Sequence, residues 1–270
     1  MMREYKIGFI GCGKMASAII KGIIDSKFVN PEYILASKSS EKNLVEISER
    51  LGIEITTDNT KLVLNSDVIF LAVKPFQIEA VLKEINKQIT SEKLIVSMAA
   101  GVKIETLESF LPPKTRVIRV MPNTPVLVKE GMTGVCKGSC VLSEDIEYVI
   151  NLFSSVGKAV IVDETQIDVL TAISGSGPAF FYKVINDIAR AGESLGLDYE
   201  KSLLLSIQTA LGSAQMALNR TVSMEELIAN VATKGGCTRV GVDVMENNKT
   251  DVLFKEVIEQ TTQKAKQLGN

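Results

Sequence analysis

The chain has 270 residues, with 30 lysines and arginines against 32 aspartates and glutamates, four cysteines and no histidine. Near-balanced charge without a like-charged block gives no footprint for a nucleic-acid partner, and Cys12, Cys136, Cys140 and Cys237 form no CxxC pair, which argues against a metal site and a disulfide framework. No stretch approaches the roughly 20 apolar residues that span a bilayer, so a cytoplasmic chain with no membrane partner is expected, and its length fits two domains.

Residues Met1–Ile10 form a short apolar run broken by a glutamate and a lysine and leading directly into glycines; this is unlike a signal peptide and reads as a first strand. Gly11, Gly13 and Ala16 then give the GxGxxA form between a strand and a helix, the Rossmann fingerprint in its required context. In that motif the first glycine makes the tight turn, the second lets the backbone approach a pyrophosphate, and the helix N-terminus offers N–H groups to the phosphates. A second strand, Tyr33–Ala36, ends in Ser37-Lys38-Ser39-Ser40, where an NAD enzyme usually carries an acidic residue for the ribose. Hydroxyls and a cation there suit a 2′-phosphate, which favours NADPH, with NADH as the alternative; an ordinary solvated loop is the bland reading.

Leu44, Ile47 and Leu51 form the apolar stripe of a helix over Glu41–Leu51, and Ile78, Val81, Leu82 and Ile85 repeat the pattern. Between and after them come the strand-like runs Val68–Val73, Leu94–Ser97 and Arg116–Met121. Alternation of this kind predicts an α/β fold, a doubly wound parallel sheet covered by helices, over residues 1–163. Ala72-Val73-Lys74-Pro75 and Ser97-Met98-Ala99-Ala100-Gly101 fall at carboxyl ends of strands, where such sheets bind ligands. Met121-Pro122-Asn123-Thr124-Pro125 makes a stiff polar loop.

Past Asp163 the strand-like runs stop, and the spacing predicts helices over Pro178–Leu195, Tyr199–Asn219, Met224–Ala232 and Val252–Leu268, an all-helical second domain over residues 164–270. The Tyr199–Asn219 helix has little charge on any face, as expected for a dimer contact or for a helix central to its own domain. Ser174-Gly175-Ser176-Gly177-Pro178-Ala179 turns into a helix whose N-terminus suits a substrate carboxylate. Ala232–Thr238 gathers a lysine, backbone donors and a hydroxyl; interdomain packing and a plain connecting loop are the respective alternatives. With no histidine, any proton transfer needs another donor.

Taken together, the fingerprint, Ala72–Pro75, Met121–Pro125, Ser174–Ala179 and the Gly235-Gly236-Cys237-Thr238 run occur in the order and approximate spacing of the pyrroline-5-carboxylate reductase family, which the whole chain resembles. The resemblance implies a Rossmann domain joined to an all-helical dimerisation domain, and NAD(P)H-dependent reduction of the C=N bond of 1-pyrroline-5-carboxylate, a small cyclic imino acid, to L-proline. It implies that Gly11, Cys12, Gly13, Lys14, Met15, Ala16, Ser37, Lys38, Asn59, Ala72, Val73, Lys74, Pro75, Met98, Ala99, Ala100 and Asn230 face the cofactor. It puts Ser176, Gly177, Gly236, Cys237 and Thr238 at the substrate, with the Thr238 hydroxyl on the ring nitrogen. It also implies a homodimer through the second domain, with assembly into decamers of five dimers.

The chain departs from the family pattern at Thr233-Lys234, where Ser-Pro is usual, at Cys237, and at Thr221. Two other readings use residues of the chain. A β-hydroxyacid dehydrogenase would employ Lys183 and Asn186, and a non-catalytic regulatory paralogue is allowed by the altered loop at Thr233-Lys234.

Overall fold

A computed structural model describes residues 5–40 and 44–267. Residues 1–4 of the expected first strand, 41–43 of the Glu41–Leu51 helix and Leu268 of the last helix lie outside these. The strands β1 (Ile7–Ile10), β2 (Ile34–Ser37), β3 (Glu54–Thr56), β4 (Val68–Leu71), β5 (Leu94–Ser97), β6 (Arg116–Met121), β7 (Gly131–Lys137) and β8 (Gly157–Ile161) form one sheet in the order β3-β2-β1-β4-β5-β6-β7-β8. All neighbours run parallel except β6 and β7, which are antiparallel.

β1, β2, β4 and β5 are buried at every position. This is what a central parallel strand covered on both faces requires, and it is why these strands read as continuous apolar runs. Successive side chains point to opposite faces, and two separate cores result. One joins Phe9, Phe70 and Val96 to Ile19, Ile20 and Ile23 of α1 (Lys14–Asp25), to α2 (Leu44–Leu51) and to α6 (Ser143–Ser154). Across the sheet, Ile10, Ile69 and Ile95 meet α3 (Asn59–Leu64), α4 (Ile78–Ile85) and α5 (Ile104–Ser109). Phe9 stacks on Phe70 at 4.6 Å between ring centroids.

After β8 come α7 (Ile167–Leu170), a π-helical turn Thr171–Gly175, then α8 (Gly177–Ser194), α9 (Tyr199–Leu218), α10 (Met224–Val231), α11 (Cys237–Asn247) and α12 (Thr250–Gln267). The chain divides into two compact units, one running to Ser176 and including the chain from Thr261 onward, the other Gly177–Gln260. Within the second unit, the Tyr199 hydroxyl donates to Asn186 Oδ1 at 3.0 Å, and the Arg190 guanidinium lies 4.1 Å from the Tyr199 ring centroid. The buried residues of α9 are only Ser202 and Ser206, while Leu204, Leu205, Leu211 and Met216 are exposed. So much exposed apolar side chain on one helix is the mark of an interface.

α11 carries no predicted element over most of its length, because Arg239 pairs with Asp243 and Glu246 on its surface and its apolar residues Val240 and Val244 are exposed. Cys237 and Thr238, expected in a connecting loop, are its first two residues, with Gly236 as the N-cap.

Candidate active site

A cleft of about 820 Å³ opens at the carboxyl ends of β1 and β4, the point where the strand order reverses. Gly11 leaves β1 with φ +94, and a side chain there would lie 2.9 Å from the Ala72 carbonyl oxygen and from Val73 Cγ1. Its N–H donates to the Ser37 carbonyl at 3.1 Å, which ties the turn to β2. Gly13 caps α1 with no side-chain hydrogen bond and no acidic residue in the first turn. A Cβ added at Gly13 meets nothing within 4 Å. The start of a 12-residue helix therefore faces open space with its N–H groups uncovered, a cradle that fits the pyrophosphate of a dinucleotide. Cys12 is buried there, and burial pushes its thiol above its ordinary pKa, which keeps it neutral near neutral pH.

At the end of β2, Ser37, Lys38 and Ser39 line the cleft together with Asn59. The Ser37 hydroxyl is already engaged, donating to Asn59 Oδ1 at 2.6 Å, and Asn59 Nδ2 donates to Glu84 Oε2 at 2.9 Å. This relay fixes the Asn59 amide and places one carboxylate near the region suited to a 2′-phosphate. Glu84→Gln keeps an acceptor for Asn59 and removes the charge. It is expected to raise the kcat/KM ratio of NADPH over NADH about threefold, the scale of one screened unit charge. The gain should shrink as ionic strength rises, and an unchanged ratio at low salt would remove Glu84 from cofactor choice.

The far wall is made by Ala72, Val73, Lys74 and Pro75 after β4, by Met98, Ala99 and Ala100 after β5, and by Met121 at the end of β6 with Pro122, Thr124 and Leu127 beyond it. The residues expected at the cofactor thus surround one cleft, except Asn230, which is exposed on α10 in the second unit. Cys136 is buried in β7, and burial raises its thiol to about 11. Neither buried thiol is a nucleophile near neutral pH.

Of the residues expected at the substrate, Ser176 follows the π-helical turn and its N–H donates to the Thr171 carbonyl at 2.9 Å. That backbone donor is occupied, so the group Ser176 can offer is its hydroxyl, which has no partner among the described residues. Gly177 opens α8. In the second unit, Gly236 N–H donates to the Thr233 carbonyl at 3.0 Å, Cys237 is exposed, and Thr238 is half-buried with its hydroxyl unpartnered among the described residues. Lys183 and Asn186 do not form a catalytic pair here. The Lys183 ammonium is exposed and bound to Asp187 at 2.5 and 2.7 Å, and Asn186 accepts from Tyr199.

Two polar residues near the cleft were not singled out by their local sequence. Glu84 reaches Asn59 from α4, and Asn123, read only as part of a stiff loop, is buried and binds Ser174. The Met121–Pro125 motif gave the location of the second but not its partner.

Residues 164–268 match the family model described as pyrroline-5-carboxylate reductase dimerisation, and residues 6–101 match that of NADP oxidoreductase, coenzyme F420-dependent. The chain is 41% identical over 268 residues to the pyrroline-5-carboxylate reductase of Methanosarcina acetivorans, covering 99% of each. It superposes on the pyrroline-5-carboxylate reductase of Coxiella burnetii with a TM-score of 0.94 at 35% identity, covering 99% of this chain and 100% of the other. The Plasmodium falciparum pyrroline carboxylate reductase, solved with NADP bound, gives 0.89 at 33% identity over 100% of both chains.

Proposed function

The chain belongs to the pyrroline-5-carboxylate reductase family, and from that premise we propose how its own residues serve the reaction. It is an NADPH-dependent imine reductase that converts 1-pyrroline-5-carboxylate to L-proline, the last step of proline biosynthesis. The observation that carries this reading is the full-length likeness to reductases of that name, with the fingerprint cleft intact. NADPH, when bound, supplies the hydride.

Because a protonated cyclic imine already accepts hydride, the protein's work is positioning and charge complementarity. The start of α1 and Gly13 hold the pyrophosphate, while Lys38 and Ser39 take the 2′-phosphate. The walls Ala72–Pro75 and Met98–Ala100 confine the nicotinamide and exclude water. The Ser176 hydroxyl and the start of α8 at Gly177 hold the substrate carboxylate, joined by Gly236 and Cys237 at the start of α11. Thr238 hydrogen-bonds the ring nitrogen. The two free hydroxyls described above support these roles.

The protein is a homo-oligomer. We assign it a dimer built through residues 164–270, with residues 1–163 as the dinucleotide-binding part, and five such dimers to a decamer; the exposed apolar residues of α9 support the first step. In that dimer Asn230 serves the cofactor of the other subunit. Among the described residues no helix is long and apolar enough to cross a membrane, which supports a cytoplasmic enzyme.

Purified protein with 1-pyrroline-5-carboxylate is expected to oxidise NADPH, seen by absorbance, with proline as product and a slower rate with NADH. Cofactor binding without turnover would instead favour a regulatory paralogue.

A further inference from the structure

Ser174 lies in the π-helical turn Thr171–Gly175, four residues before Pro178. In a regular helix the carbonyl of Ser174 would accept from the N–H of residue 178, and proline has none to give. Asn123 supplies a donor in its place. Its Nδ2 lies 3.2 Å from the Ser174 carbonyl oxygen and 3.3 Å from Ser174 Oγ, and its Oδ1 accepts the Met132 N–H at 2.8 Å. The side chain is enclosed, at 7% exposure, so each of these bonds replaces a solvent contact the group cannot make. Its neighbours Pro122 and Thr124 line the cofactor cleft. One buried amide therefore joins the cleft wall to the turn from which Ser176 emerges. Short π segments inside helices recur at functional sites.

We propose that Asn123 is a positioning residue of the reduction, fixing the Ser174–Ser176 turn so that the Ser176 hydroxyl and the start of α8 meet the substrate carboxylate. This rests on the carboxylate role given to that turn above. Asn123 acts through Ser174 and reaches no reacting atom, so its loss should cost carboxylate recognition rather than chemistry.

The test compares 1-pyrroline-5-carboxylate with 1-pyrroline, the same ring without the carboxylate, at saturating NADPH in the full-length enzyme. Asn123→Ala is expected to lower the preference for the carboxylated ring tenfold or more through KM, the scale of an ångström-level misplacement being about 10²-fold. NADPH affinity and the rate on 1-pyrroline should hold within about twofold, a split that general loss of structure does not produce. Asn123→Asp, which keeps the acceptor for Met132 and loses both donors, should behave alike and serves if the alanine variant does not fold. Adding Pro178→Ala returns an N–H four residues after Ser174 and should restore part of the preference. Equal losses on both rings would overturn the proposal. Ser176→Ala separates the two ideas: if it leaves the carboxylate preference intact, the role of the turn fails and this proposal with it. If Ser176→Ala abolishes the preference while both Asn123 variants keep it, the role of Asn123 alone fails.

Discussion

Gly13→Val is expected to give a folded protein that has lost NADPH. Gly13 has φ −84 and ψ −171, extended backbone open to any residue, and a Cβ placed there touches nothing within 4 Å. The apolar face of α1, built on Ala16, Ile19, Ile20 and Ile23, is left alone. What a valine does occupy is the space in front of the helix N-terminus, where a pyrophosphate must come close enough to accept N–H hydrogen bonds. Losing those contacts should weaken cofactor binding at least about 100-fold, roughly 3 kcal/mol. Fluorescence titration of NADPH measures the loss, and thermal unfolding without cofactor should move by no more than about 2 °C, a shift of about 1 kcal/mol at most. Affinity within threefold of wild type would mean that the phosphates bind elsewhere. Gly11→Val makes the contrast. With φ +94 and a carbonyl oxygen 2.9 Å from the new Cβ, it should impair folding itself.

The second large effect is expected at Thr238. Thr238→Val removes the hydroxyl and keeps the shape, so the loss can be read as one hydrogen bond to the imine nitrogen. A hydrogen bond to a charged group is worth about 1.5–3 kcal/mol, and kcat/KM should fall on the order of 10- to 100-fold. Because the hydroxyl has no partner among the described residues, folding stability should change by less than about 0.5 kcal/mol. Thr238→Ser, which keeps the hydroxyl, should retain most of the rate. Steady-state kinetics of the three proteins on 1-pyrroline-5-carboxylate decide the matter, and a valine variant with unchanged kcat/KM would hand the nitrogen contact to another group.

The central strands were legible because their burial on both faces leaves only apolar residues to choose from, as in Val68–Leu71 and Leu94–Ser97. β3 is three residues long and half exposed, and β7 contains Gly131 and Gly134, so neither carries such a run. Their pairing with neighbours, rather than their own pattern, makes them strands. The cleft followed from the fingerprint because its mechanics are local, a turn and the helix that follows it. Glu84 and Asn123 were hidden for the opposite reason. Their partners lie 25 and 51 residues away, and only the folded topology brings them together.

α9 buries two serines against its own chain and leaves Leu204, Leu205 and Leu211 exposed, and in the dimer proposed above another copy covers them. Part of this protein's folding free energy is then a binding free energy, and it scales with the logarithm of how much protein is present. Dilution acts on such a molecule much as a denaturant does. A cell that makes little of it would keep a smaller fraction in the finished state, so abundance itself becomes a control on activity. In the proposed dimer, where Asn230 serves the other subunit's cofactor, a defective copy would also harm an intact one.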